Sequence, residues 1–459
     1  MMPQASANFL EAILNPSPQS STSPGFVTTV GTENATASAP KSTHTAALAM
    51  MTTLFFMWGF LTVLNDVLVP HLKSIFDLNY AQVMLIQFSF FSAYFLFSIP
   101  SGKLIDWIGY KRSMVLGLLT MAAGAFLFIA AASVPSFNIF LAALMVLAAG
   151  ITVLQVAANP YVAVLGPPQT ASSRLNLAQA FNSFGTWLAP LFGSQFILSA
   201  VPMTVEQIRQ LSPSALDAYR LQEAASVKLP YTGLGLALVA LAVAIAAFKL
   251  PPIPEAQRGG STTLPDATEK VWHFPHLTLG ALAIFLYVGA EVSIGSFLVN
   301  YFNQAEIGNL PHQVGARFVS FYWGGAMVGR FVGSWILRKL SAGTLLGIAA
   351  TGASLLVLTS TLTLGHLAMW SIILVGFFNS IMFPTIFTLA IAGLGRLTGA
   401  ASGILVTAIV GGAIIPVVQG ALADRIGIHH AFVVPAVCYL YIVFYALKGS
   451  KLTKPRSAH

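Results

Sequence analysis

Apolar runs of about 20 residues, long enough to cross a bilayer as helices, recur along the chain between Ala46 and Lys448. Gly, Pro and charge clusters separate them. The pattern predicts twelve spans, at residues 47–72, 80–103, 112–132, 137–165, 174–200, 230–249, 275–302, 313–337, 343–362, 367–392, 399–422 and 430–448. All are expected to be helices, because a hydrocarbon interior offers no water to unpaired backbone groups and the alternating pattern of a membrane barrel is absent. Two polar stretches frame the spans. The first 45 residues are rich in Ser, Thr, Ala and Pro and read as a disordered tail. Residues 251–274 read as a linker between a six-helix bundle at 46–250 and a second at 275–448, with a short tail at 449–459. A charged run near 202–229 is too polar to span and is expected on the outer surface.

Composition agrees with this all-α, multi-pass membrane class: 56% of the 459 residues are hydrophobic, 8% are charged, and the mean hydropathy is +0.78. The net charge of +8 is no sign of a nucleic-acid partner, because its distribution follows the membrane rule. With the N-terminus inside, Lys103, Lys111, Arg112, Arg174, Lys249, Arg338, Lys339, Arg396 and Lys448 all fall on the cytoplasmic side. Both termini are then cytoplasmic, in a plasma membrane such as a bacterial inner membrane. The single Cys438 allows no internal disulfide.

The halves look related. Gln155 precedes Pro160 by five residues in span 4, as Asn379 precedes Pro384 in span 10; Gly185 and Pro190 in span 5 match Gly411 and Pro416 in span 11. Such duplication favours a substrate site near the midplane between the repeats.

Two carboxylates, Asp66 and Glu291, lie inside apolar runs, where a charge costs about 2.5–3.5 kcal/mol on insertion scales, so both are candidates for ion coupling. Polar side chains gather on helical stripes around them. Trp58, Thr62, Asn65 and Asp66 share a face of span 1; Gln155 and Asn159 share one of span 4; Asn176, Gln179 and Asn182 share one of span 5. Gln87 and Tyr94 in span 2, Tyr287 beside Glu291 in span 7, and Tyr322, Trp323, Asn379 and Gln419 in the second half complete the set. Amides both donate to and accept from hydroxyls, and aromatic faces stack on sugar C–H faces, so the set suits a neutral polyhydroxylated ligand. The plain alternative is that such amides only tie helices together. No histidine or acid constellation suggests an enzyme, and no cofactor is implied.

Gly102–Arg112, GKLIDWIGYKR, resembles the cytoplasmic signature of the major facilitator superfamily between spans 2 and 3. The resemblance implies a gate formed by Gly102, Asp106, Gly109, Lys111 and Arg112. A degenerate second copy runs from Gly329 to Leu340, with Leu337 where the acid belongs. The segments FFMWGFLTVLNDVLVPHLK, AANPYVAVLGP, SRLNLAQAFNSFG and FLYVGAEVSIGSFLVNYF resemble the fucose:H+ symporter family, in its glucose/galactose transporter branch. That resemblance implies a twelve-helix transporter moving a monosaccharide inward with a cation. It assigns ion coupling to Asp66 and sugar contact to Gln179 and Asn182. The family's second acid, in span 4, is here Gln155, which carries no proton; Glu291 or direct sugar binding by Gln155 takes its place. The coupling ion is H+, or Na+ held by Asp66 with Asn65 and Thr62. A drug/H+ antiporter of the same fold and a non-transporting sugar sensor are the rival functions, and the working unit is expected to be a monomer.

Overall fold

The computed structural model describes the backbone of residues 44–76, 80–133, 136–196, 210–212, 214–216, 218–219, 228–251 and 271–452. Within these, side chains are described except at 64–88, 132, 190–191, 193–200 and 312–313. The N-terminal tail, most of the linker, most of the 202–229 run and the side chains of Asn65, Asp66, His71 and Gln87 therefore lie outside the described residues.

Each of the twelve expected spans falls on a described helix. The first half contains α1 (Thr45–Phe76), α2 (Tyr80–Ser133), α3 (Phe137–Val164), α4 (Ala171–Phe196) and α5 (Lys228–Ala247). The second contains α6 (Pro275–Asn303), α7 (His312–Ile336), α8 (Ala342–Leu362), α9 (Gly365–Asn379), α10 (Met382–Ala390), α11 (Thr398–Thr407), α12 (Gly411–Ile426), α13 (Ile428–Ala431) and α14 (Val433–Phe444). No strand occurs among the described residues. Among the described residues, nine stretches are apolar and long enough to cross a membrane. One of these contains two expected spans, and α4 and α7 carry the more polar faces.

Spans 2 and 3 are two helices run together in α2, and they meet in a tight turn at Gly109. The turn is made at Gly109 alone, with φ 79° and ψ 166°, a backbone state that a Cβ resists. Spans 10 and 11, each expected as one helix, are interrupted. Span 10 breaks between Asn379 and Met382, and span 11 tightens into a 3₁₀ turn at Ala408–Val410.

Close helix contacts are made through small residues, as expected where lipid supplies no hydrophobic drive between helices. A Cβ on Gly185 of α4 would stand 2.3 Å from the Phe56 carbonyl of α1, and one on Gly411 of α12 2.0 Å from the Phe285 carbonyl of α6. The two glycines that the repeat paired thus make the same contact in each half, span 5 on span 1 and span 11 on span 7. Large apolar side chains such as Phe95, Leu236, Val243, Leu355 and Leu367 face outward, as a lipid-facing surface requires.

Candidate functional site

The halves meet along α2, α3 and α4 on one side and α7, α10 and α11 on the other, and the closest bonding is at the end carrying Asp106. Ser172 and Thr388 hydroxyls stand 2.6 Å apart. Ser173 Oγ donates to the Ser334 carbonyl at 2.7 Å, while Ser334 Oγ donates to the Ser173 carbonyl at 3.1 Å. Asn176 Nδ2 donates to the Arg330 carbonyl at 2.7 Å, and Ser402 Oγ to the Val156 carbonyl at 2.8 Å.

Gly102 belongs to this closed end, where a Cβ on it would meet the Gly399 carbonyl at 2.9 Å. A Cβ on Gly399 would in turn meet Asp106 Oδ1 at 3.0 Å. The carboxylate therefore sits against the first turn of α11, where the helix dipole favours negative charge. Lys111 and Arg112 follow the Gly109 turn, Arg112 exposed and Lys111 half-buried. Arg174, one of the basic residues that set the orientation, is buried and donates to the Val162, Ala163 and Pro167 carbonyls, closing the α3–α4 turn.

Above this seam the polar side chains form two networks. In the first half, Gln155 Nε2 donates to Tyr94 Oη at 2.7 Å, and Gln179 Nε2 reaches Asn159 Oδ1 at 3.5 Å. Asn182 is used differently. Its Nδ2 donates to the Phe55 carbonyl at 2.9 Å, tying α4 to α1, so half of its expected sugar-facing capacity is spent within the protein. Trp58 is buried against Phe55 with ring centroids 5.1 Å apart.

In the second half, Tyr287 Oη donates to Glu291 Oε1 at 2.8 Å and also lies 3.1 Å from the Asn379 carbonyl. Asn379 Nδ2 donates to Tyr322 Oη at 2.8 Å, and Tyr322 Oη to the Glu291 carbonyl at 3.3 Å. Ser293 Oγ donates to Gln419 Oε1 at 2.6 Å. Trp323 stays half-exposed, its ring close to Gly295. The break in span 10 is thus the hub, because the carbonyl freed at Asn379 is taken up by Tyr287. Asn159 Nδ2, Asn379 Oδ1 and Gln419 Nε2 are buried and have no hydrogen-bond partner among the described residues.

Arg330 was not among the candidates that the sequence suggested, although a basic residue within an apolar helix is as costly as an acid. It extends from α7 across the seam. Its guanidinium donates to Ser183 Oγ and the Gln179 carbonyl in the first half and to the Ser380 carbonyl at the span-10 break. It is also within electrostatic reach of Glu291 and Tyr287. The site therefore holds a fixed cation as well as amides and tyrosines.

A better second copy of the gate signature also emerges, at Gly420–Gly427 (GALADRIG), with the glycine and acid spacing of Gly102–Gly109. Gly427 adopts φ 83° and ψ 154°, close to the Gly109 geometry, at the opposite end of the bundle.

The sequence matches the Major Facilitator Superfamily over residues 46–410. A glucose/galactose transporter of Brucella abortus is 53% identical over 406 residues, 88% of this chain and 94% of that protein. The L-fucose-proton symporter of Escherichia coli is 36% identical over 409 residues, 87% and 92% of the two chains. The chain belongs to this superfamily and to the family of these two transporters. The crystal structure of the fucose:proton symporter in the outward conformation superposes on this transporter with a TM-score of 0.81 at 33% identity. The superposition covers 88% of this transporter and 99% of that chain.

Proposed function

We propose that this transporter imports a monosaccharide, a hexose of the glucose or galactose type, together with a proton, by alternating access. One observation carries the reading. Amides and tyrosines of both halves gather above the seam, with Asn159 Nδ2, Asn379 Oδ1 and Gln419 Nε2 buried and without a hydrogen-bond partner among the described residues, beside one carboxylate held by a tyrosine. Each such buried atom costs about 1–3 kcal/mol. Hydroxyls, which donate and accept at once, suit a mixed set of two amide donors and one amide acceptor. The names of the relatives point to the same cargo.

Glu291 and Asp66 are the coupling carboxylates in this reading. Gln155, Asn159, Gln179, Tyr94, Asn379 and Gln419 contact sugar, with Trp58, Gln87, Tyr287 and Trp323 around them. With both termini cytoplasmic, the closed Asp106 end faces the cytosol and the structure is an outward-facing one. The unit is a monomer in a lipid bilayer, with Gly102, Asp106, Gly109, Lys111 and Arg112 as its inner gate.

The test is uptake of labelled glucose and galactose by proteoliposomes under an inward proton gradient or an inward Na+ gradient, with wild type, Asp66→Asn and Glu291→Gln. Accumulation under the proton gradient alone, lost in Asp66→Asn, is the expected result. Accumulation under Na+ alone would replace the proton with a cation held at Asp66, Asn65 and Thr62. Equilibration under either gradient would make the protein a facilitator, and absence of flux with retained binding a sensor.

A further inference from the structure

We propose that Arg330 couples the charge on Glu291 to the closure of the Asp106 end. The inference rests on the symport reading above, in which Glu291 takes up a proton. Arg330 is a positioning residue, since nothing requires it to touch the sugar.

The argument starts from the donors. A guanidinium carries five N–H groups in a planar fork. Those of Arg330 reach three acceptors: Ser183 Oγ and the Gln179 carbonyl on α4, and the Ser380 carbonyl at the span-10 break. One side chain thereby joins the two halves and bonds the helix break of the second. It lies among the other seam bonds, because its own carbonyl accepts from Asn176, and Ser334, one turn further on, exchanges bonds with Ser173. The groups that bear on Glu291 are few. Tyr287 donates to it, Arg330 acts on it through its charge, and the hydroxyls of Tyr322 and Tyr439 are within electrostatic reach. Glu291 and Arg330 also meet through the span-10 break, where Arg330 donates to the Ser380 carbonyl and Tyr287, the donor to Glu291, lies 3.1 Å from the Asn379 carbonyl.

An ionised Glu291 holds the guanidinium in the pose that bridges the halves, since opposite charges attract strongly away from bulk water. A proton on Glu291 removes that hold. Arg330 then exchanges one favoured pose for several, and the bridge to Ser183 and Gln179 weakens. This direction fits import. The loaded transporter is released to open at the Asp106 end, and loss of the proton there draws the end shut again. A ligand shifts such an equilibrium only by its different affinity for the two states, and here the difference is the charge on Glu291 within electrostatic reach of Arg330.

The experiment reports opening directly, without transport. Ile105 is buried at the closed end, so Ile105→Cys in a Cys438→Ser background becomes a reporter of opening. Maleimide labelling of purified protein in lipid nanodiscs is compared for that background and for added Arg330→Gln, Glu291→Gln and both together. Each preparation is first shown to be monodisperse, with an unchanged unfolding midpoint; Arg330→Lys, which keeps the charge and loses the fork, replaces any that is not. Arg330→Gln and Glu291→Gln should each speed labelling by about fivefold or more, the lower end of ordinary coupling between sites. The double variant should label no faster than either alone, as residues of one network do. Arg330→Gln labelling at the background rate would overturn the proposal. So would additive rates, or Glu291→Gln labelling at the background rate. A wild type that fails to accumulate sugar under a proton gradient would instead defeat the symport reading, whatever the labelling shows.

Discussion

At the residue scale, the Tyr94–Gln155 bond makes the first prediction. Both side chains are buried and linked at 2.7 Å, so Tyr94→Phe leaves the Gln155 amide free to turn away from its present direction. Loss of one such bond is worth about 0.5–1.5 kcal/mol. The expected outcome is a rise in the KM for hexose uptake of about two- to tenfold, with the maximal rate less affected; an unchanged KM would make the pair interhelical glue. Glu291→Gln tests a different step. It should lose gradient-driven accumulation yet retain exchange of labelled for unlabelled sugar, a counterflow assay that needs no net proton movement. Much of this site was legible, because amides and acids in apolar runs are conspicuous and helical spacing sorts them onto faces. Arg330 is less legible, because a single basic residue in a chain of membrane spans reads as orientation rather than as chemistry. The partners of Asn182 were not legible either, since a backbone carbonyl such as that of Phe55 leaves no mark in the sequence.

At the scale of elements, the glycine crossings carry the next prediction. Gly185 and Gly411 stand where a Cβ would fall 2.3 Å and 2.0 Å from carbonyl oxygens of α1 and α6. Backbone cannot yield as a flexible side chain does, so Gly185→Ala and Gly411→Ala should each cost about 1–3 kcal/mol by overpacking, read as a lowered unfolding midpoint in detergent. Gly109→Ala and Gly427→Ala act by another route. Neither Cβ would meet an atom within 4 Å, and both backbones combine positive φ with extended ψ, so the penalty is conformational, about 1–3 kcal/mol. Span positions were readable from hydropathy, since about 20 apolar residues suffice to mark each one. The break in span 10 leaves one mark, Pro384, which has no N–H to return to the Ser380 carbonyl four residues before it. What takes up the carbonyls freed there, Tyr287 and Arg330 from other helices, leaves none. The duplication predicts the second gate copy in span 8, whereas the matching Gly427 backbone lies at the end of span 11.

At the scale of the whole molecule, alternating access requires the Asp106 end to come apart once in each cycle, and the reciprocal serine pair offers a way to prevent that. Ser173 Oγ and Ser334 Oγ are 3.4 Å apart across the seam, one on each half. With Cys438→Ser removing the single native thiol, Ser173→Cys and Ser334→Cys together place two thiols where oxidation can join the halves. A bond there removes the opening motion while leaving the polar networks around Gln155 and Glu291 in place. Oxidised protein should bind hexose and not transport it, and a reductant should restore uptake. Each single cysteine variant should transport with or without oxidant. Transport that continued in fully cross-linked protein would show that the halves need not part at this end, and the bundle would then move its cargo by some route other than rocking about the seam. Loss of binding together with transport would show that the cargo is held only once this end has opened, and not among the amides of the closed form. Inhibition reversed by reductant, with binding intact, therefore ties the site, the seam and the direction of opening into one cycle.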